Sequence, residues 1–325
     1  MNSRLVSRNG GELAAHLRRR STPLLLALFR TVFIVGICFL ILSPILTKIS
    51  MSFMDQRDLY DRTVKSIPKH FTLSNYPEAI GLLDYWTAAG NTALLAGMSG
   101  LMQGFTCIVT GYGLARFQFK GRGLVFGLVI VSMVIPPQLI LTPLYLNFQN
   151  FDPFGLISLF TGGRGLRLIE SFTPFLLLSL TATAARNGLY IFLARQFFRG
   201  FPREIDEAAS IDGAGWARVF FRIMLPGASS IFIVIFLFAF VWQWNDSMYT
   251  FLFYTDFETI AKALTGLESQ FAHIQVEGSA LASNIGYYSI MRATSMLLAI
   301  LPLLGIYGVL QKKFILSIER TGIVG

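Results

Sequence analysis

Apolar and polar residues in this chain fall into long blocks, without the short alternation of a water-soluble fold. Runs with few or no charges cover residues 31–47, 91–115, 124–148, 172–194, 226–248 and 290–310. Each approaches or exceeds the length of about 20 residues that an α-helix needs to cross a bilayer. The pattern predicts an all-α membrane protein with six transmembrane helices. Pro136-Pro137 falls inside the third run and is expected to kink or break it. Two longer polar stretches, at about 50–85 and 249–288, are predicted on one side of the membrane. The first is expected to form a small external cap. The second carries Asp256, Glu258, Glu268 and Glu277 against Lys262, and fits either a solvated connector or a docking loop for an external partner.

A different pattern interrupts the blocks between the fourth and fifth runs, where EAASIDGAGWARVFFRIMLP occupies residues 207–226. Pro202 can start a helix, because it has no amide proton to leave unpaired. Glu204, Asp206 and Glu207 then favour the positive end of the helix dipole. Ala208 and Ala209 form helix readily and let a neighbour approach closely. Asp212-Gly213 signals a turn, and Trp216, Phe220 and Ile223 stand near helical spacing beyond it. Leu225-Pro226 marks re-entry into the fifth run. The prediction is two short helices along the membrane face, in a loop of about 199–225. Glu-Ala-Ala alone would fit an ordinary interfacial helix, but the full pattern between two spans is far more specific.

Composition agrees with the pattern. The chain of 325 residues is 54% hydrophobic and 14% charged, where a soluble domain carries about a quarter charged residues. In a soluble protein the net charge of +9 would raise nucleic acid as a partner; here it is a topology signal, with membrane lipid as the surrounding medium and no nucleic acid expected. With both termini inside, Lys and Arg favour the inner segments by about two to one, which places the termini and the Glu207 loop in the cytoplasm. The tails are then residues 1–30 and 312–325, flanking a membrane domain of 31–311. The first run follows basic residues, yet no small-residue cleavage signal follows it, so it reads as a retained span.

Catalytic chemistry is absent from the pattern. Cys38 and Cys107 lie in apolar runs, and His16, His70 and His273 show no metal-ligand spacing. No G-x-x-x-x-G-K-[ST] phosphate loop occurs, so no ATPase of the chain's own is expected. Asp246 and Arg186 stand out among the charges in the apolar runs, and a charge there is a functional candidate by default. Asp246 belongs to WQWND, residues 242–246. It fits either an interfacial aromatic belt or a substrate patch in which Gln243, Trp244, Asn245 and Asp246 line the path; about 100° separates neighbouring side chains, so they do not all face one path. Arg186, in the fourth run, fits either a snorkelling or helix-pairing arginine or a cavity residue that binds the carboxylate of an acidic substrate.

The 207–226 loop resembles the EAA motif of ABC importer permeases, with Glu207, Ala208, Ala209, Ser210, Asp212, Gly213, Ile223, Leu225 and Pro226 in place. Flanking segments are similar to the carbohydrate-importer branch of the maltose type. These are FTLSNY (71–76), GYGLARFQFKGR (111–122), LARQFFRGFPREIDEAASIDGA (193–214), WQWND and the terminal RTGIVG (320–325). That branch usually ends in Lys-Gly, whereas Val324 precedes Gly325 here. The resemblance implies a type I importer fold in a bacterial inner membrane. It also implies a second, different permease subunit, two ATPase subunits and an extracytoplasmic substrate-binding protein. Glu207 would pair with a basic residue of an ATPase, and Ala208, Ala209, Ser210 and Gly213 would fit its groove. ATP and Mg would bind the ATPases, leaving this chain without cofactor or catalysis. Alternatives are a permease for another polar solute and an ATP-independent secondary transporter; the latter predicts paired in-span charges and repeated halves.

Overall fold

The computed structural model describes residues 3–276 and 285–322. Glu277, Val324 and Gly325 lie outside the described residues, as do the side chains of Ser210 and Glu268. By its contacts the chain divides into two units, Met1–Asn75 and Tyr76–Gly325.

The first unit is built on α1 (Ser3–Ser52), whose segment Leu26–Ser52 is apolar and long enough to cross a membrane unbroken. After it, α2 (Gln56–Tyr60) begins where the Asp55 carboxylate accepts the Arg57 N–H at 3.0 Å, an N-cap. The chain then returns to its start. Met54 and Phe71 form an isolated antiparallel bridge, and the rings of Phe53 and Phe71 stack at 4.9 Å. The Asn75 amide donates to the Ser52 and Met54 carbonyls at 2.8 and 3.0 Å. Inside this closure Asp58 is buried. It accepts the His70 backbone N–H at 2.9 Å and sits 2.6 Å from His70 Nδ1.

The second unit is organised around α4 (Tyr85–Arg116), which follows α3 (Asn75–Leu82). Small residues along α4 admit its neighbours, as in many membrane helix contacts. A Cβ on Gly104 would stand 3.1 Å from the Phe232 ring, and one on Gly100 would stand 3.3 Å from Phe236. Both phenylalanines belong to α13 (Ser229–Trp244). One turn past Cys107, a Cβ on Gly111 would lie 2.5 Å from the Ala194 methyl of α9 (Asn187–Gly200). Cys107, Ile108, Tyr112, Tyr190, Phe198, Ile231 and Ile235 form the buried core between these three helices.

Among the described residues, three helices are apolar and long enough to cross unbroken: Leu26–Ser52, Tyr85–Arg116 and Gly286–Lys312, the last within α16 (Ile285–Gly322). Two more spans are bent. α5 (Arg122–Val134) and α6 (Pro137–Gln149) meet at 105°, where Pro136 is extended and Pro137 opens the new helix, as the proline pair predicts. α13 is joined at 71° to the helical stretch Trp216–Gly227. The remaining predicted span, 172–194, is not one helix. It is α8 (Thr173–Leu180), set after α7 (Leu156–Thr161) and a connecting loop, then a break, then α9. β-branched Thr181 and Thr183 and the Arg-Asn-Gly sequence at 186–188 weaken helix there. Ala182 takes a left-handed φ of 56°. The Leu178 carbonyl accepts the N–H groups of both Thr183 and Ala184, which closes the end of α8. Beyond α13 come α14 (Met248–Phe253) and α15 (Ile260–Val276), here numbered after the three short helices of the loop described next.

Candidate functional site

The two-helix loop is present. α10 (Glu204–Ile211) carries Glu204, Asp206 and Glu207 in its first turn. Gly213 then reverses the chain at φ 76°, a left-handed value that L residues adopt only under strain. The Ala214 N–H closes the turn on the Ala209 carbonyl at 2.9 Å. α11 (Trp216–Val219) follows, then a wide π-type turn at Phe220–Met224, and α12 (Leu225–Gly227) leads into the bend before α13.

The faces of this loop correct one part of the sequence expectation. Glu207, Ala208, Asp212, Gly213 and Pro226 are exposed, and Ile223 and Leu225 are half-buried. Ala209 is buried among Val219, Phe220 and Met224 in the chain's own core. A methyl group that packs inward is not offered to a partner's groove. Two large apolar side chains of the loop are exposed by contrast, Ile211 at 86% and Trp216 at 69%.

A buried ion pair anchors the loop to α4, and sequence reasoning did not single it out. Arg116, the last residue of α4, stands 3.1 Å from the Asp206 carboxylate and donates to the Phe201 carbonyl at 2.7 Å. Its side chain is 8% exposed, and that of Asp206 is 26% exposed. Burial pushes the Asp206 carboxyl up from its ordinary value, and Arg116 and Arg203 only partly pull it back. Beside the pair, Tyr112 meets the rings of Phe117, Phe198 and Phe220 at 5.7, 5.2 and 5.0 Å. α10 is therefore tied to α4 by charge, and Ala209 places it in the core cluster that also holds Tyr112, Phe198 and Phe220.

The second site is a cavity of about 350 Å³, within the range of small-molecule sites of roughly 300–1,000 Å³. Its wall includes the break Ala184–Arg186, Gln103 of α4, Gln138 of α6, Tyr190 of α9, and Trp242, Gln243, Asn245, Asp246 and Tyr249. Non-helical backbone at membrane depth is tolerated where it lines such a cavity. Arg186 and the WQWND segment, predicted separately, meet here. The Arg186 guanidinium lies 3.2 Å above the Trp242 ring, a cation–π contact.

The expected substrate patch is only partly assembled. Gln243, Asn245 and Asp246 reach the cavity wall, whereas Trp244 does not line it. Trp244 is 3% exposed and donates its indole N–H to the Ala299 carbonyl of α16 at 3.1 Å. Trp242, two residues earlier and about 200° around α13, takes the cavity position. The Asn245 amide is turned back onto the Val241 carbonyl at 2.7 Å. Asp246 caps α14, accepting the Tyr249 and Thr250 N–H groups at 3.2 and 3.1 Å. Tyr190 and Tyr249 were not marked by any local pattern, since they reach the wall only through tertiary packing.

Broken helices around a cavity that Arg186, Gln243 and Asp246 reach, with a two-helix loop built into the same core, fit a multi-pass transport permease. The chain belongs to the family described as binding-protein-dependent transport system inner membrane component, whose model matches residues 107–316. The matched region contains the loop, the broken span and most of the cavity wall. Protein LplC of Bacillus subtilis is 26% identical over 287 residues, covering 87% of this chain and 89% of LplC. The diacetylchitobiose uptake system permease protein NgcG of Streptomyces coelicolor is 27% identical, covering 86% of this chain and 83% of NgcG. The melibiose/raffinose/stachyose import permease protein MelC of Bacillus subtilis is 28% identical, covering 79% of this chain and 83% of MelC. The fold is shared with a chain of a bacterial ABC transporter involved in the import of the acidic polysaccharide alginate. The TM-score is 0.67 at 20% identity, with 89% of this chain and 96% of that chain covered.

Proposed function

We propose that this chain is the membrane subunit of an ATP-driven importer of a sugar or oligosaccharide, set in a bacterial inner membrane with both termini in the cytoplasm. The observation that carries the ATP-driven reading is the loop at α10–α11, whose exposed Glu207, Ala208, Ile211 and Trp216 form a charged and apolar face beside the left-handed turn at Gly213. Two ATPase subunits dock on that loop, here and on the equivalent loop of a second permease chain. They bind ATP and Mg and do the hydrolysis; this chain does none. A substrate-binding protein delivers the solute from outside. The sugar reading is supported by relatives named for oligosaccharide uptake.

In this reading the stroke reaches the path through the shared core. Movement of α10 is carried by Ala209 into the core that includes Phe198 of α9 and Ile231 of α13. Arg116 carries it into α4. Tyr190 and Trp242 stand on α9 and α13, so the cavity wall moves with the loop and opens to alternate sides.

The test uses the complete assembly in proteoliposomes with a panel of neutral and acidic oligosaccharides. Uptake is expected to need ATP, and Glu207→Arg together with Ile211→Glu is expected to abolish it. Unchanged uptake in that variant would sink the coupling role. Uptake without ATP would favour a secondary transporter, and uptake of amino acids or phosphate alone would replace the sugar.

A further inference from the structure

Arg186 is poorly accounted for as a structural residue. Snorkelling would take its charge to the membrane surface, yet its guanidinium lies over Trp242 in the wall of the cavity. Helix pairing would give it a carboxylate or carbonyl partner. Among the described residues its side chain makes no ion pair, and its contact is with the Trp242 ring. Asp246 is the acidic residue of the wall, and its two oxygens are engaged by the first turn of α14 and the Thr250 hydroxyl. A guanidinium held over an aromatic face can still present N–H groups beyond the rim of the ring, as a fork for a carboxylate. Arg186 is also the residue at which α9 begins, so the positive end of a 14-residue helix adds to its field.

The same stacking bears on what enters. A neutral sugar is commonly held by an aromatic face against its C–H surface. Here the guanidinium already covers one face of Trp242. The position offers charge and donors in place of that flat apolar surface. Tyr190 Oη, Gln243 Nε2 and Tyr249 Oη, in the same wall, are buried without a hydrogen-bond partner among the described residues. Such groups are costly to leave unpaired and can turn to the ring hydroxyls of a bound saccharide.

We propose that this cavity is a subsite for an acidic sugar residue, a uronate, with Arg186 stacked on Trp242 as the carboxylate clamp. The proposal rests on the reading of the chain as a sugar importer subunit and narrows it. It does not depend on Asp246, which is a capping residue here.

The experiment uses the whole assembly in proteoliposomes. The probes are 4-linked uronate trisaccharides, each beside its fully methyl-esterified form, and a set of neutral trisaccharides. ATP-driven uptake of a uronate above its ester is expected. Arg186→Gln should lower the uronate rate by about tenfold or more, the scale of one charge-assisted contact, and change the ester rate by less than about twofold. Arg186→Lys keeps the charge without the fork and should fall between the two. Trp242→Phe serves as the packing control, with a smaller loss than Arg186→Gln. Equal uptake of uronate and ester, or equal loss of both in Arg186→Gln, would overturn the clamp. Uptake of neutral trisaccharides alone would overturn it and leave the sugar importer standing. Failure of every saccharide would remove both.

Discussion

The Arg116–Asp206 pair predicts an asymmetry between its two partners. Replacing Arg116 with Met removes a donor 2.7 Å from the Phe201 carbonyl and leaves the Asp206 carboxylate without its 3.1 Å partner. A hydrogen bond from a charged group contributes about 1.5–3 kcal/mol, and stranding a buried charge costs about 3–5 kcal/mol. Asp206 keeps some contact with water, at 26% side-chain exposure, and Arg203 also acts on it. These discounts bring the expected cost of Arg116→Met to about 2–4 kcal/mol. Asp206→Asn is different. Burial, the largest influence on this carboxyl, already disfavours its charged form. The Asn amide oxygen still accepts from Arg116, which also keeps the Phe201 carbonyl at 2.7 Å, so Arg116 is not stranded and the change should cost about 1 kcal/mol. Hydrogen exchange of the α10 amides in the assembled transporter reads this directly, because they exchange through local opening. Arg116→Met should speed their exchange by about thirtyfold to several-hundredfold, and Asp206→Asn by less than about tenfold. The pH dependence has a definite sign. A carboxyl raised in the folded state contributes most below its unfolded pKa, and that contribution is lost as pH rises through the folded value. Mild acid should therefore not loosen α10 through Asp206. Equal damage from the two substitutions would refute this account of the pair.

Three further outcomes follow from the packing and from the segment at residues 53–75. Gly111→Ala places a methyl 2.5 Å from Ala194 and should cost about 1–3 kcal/mol or more, whereas Gly113→Ala meets only Phe117 at 4.0 Å and should be silent; thermal unfolding of the detergent-solubilised assembly compares them. Gly213→Ala has open space around it but keeps a φ of 76°, so its cost should be backbone strain alone, about 1–2 kcal/mol, with Gly213→Asn milder, read by exchange in the loop. Burial opposes the charge on Asp58, but the His70 N–H and ring together hold its carboxyl below the ordinary value. Its contribution is present above the unfolded pKa and lost as pH falls through the folded one, so exchange at residues 53–75 should rise in strong acid, and Asp58→Asn should remove that dependence.

What was legible in the sequence follows from how local each cause is. The proline pair at 136–137 acts on its own backbone, and the break stands where it was predicted. The Asp212-Gly213 turn is equally local, and Gly213 holds the left-handed position. The break at 181–186 was missed because hydropathy counts apolar residues and ignores β-branched threonines beside an Arg-Asn-Gly sequence. Ala209 was misjudged for a related reason: small size fits a partner's groove and the chain's own core alike, and only the packing of Val219, Phe220 and Met224 decides. The choice of Trp244 over Trp242 turned on rotation about α13, which has no strong polar face to fix it. The contacts to Ala299 and Arg186 fixed that rotation, and both lie more than fifty positions away in sequence.

The broken span also bears on how the protein is made. α8 has 8 residues and α9 has 14, about 12 and 21 Å of helix, each short of a hydrocarbon core of about 30 Å. An arginine stands at the join. Such a segment is a poor candidate for entry into lipid by itself as it leaves the ribosome. α4 is synthesised earlier, long, apolar and already furrowed by Gly111 for the approach of α9. The order of synthesis thus supplies the wall before the piece that needs it, and Arg186 enters a protein environment and never has to be dissolved in lipid.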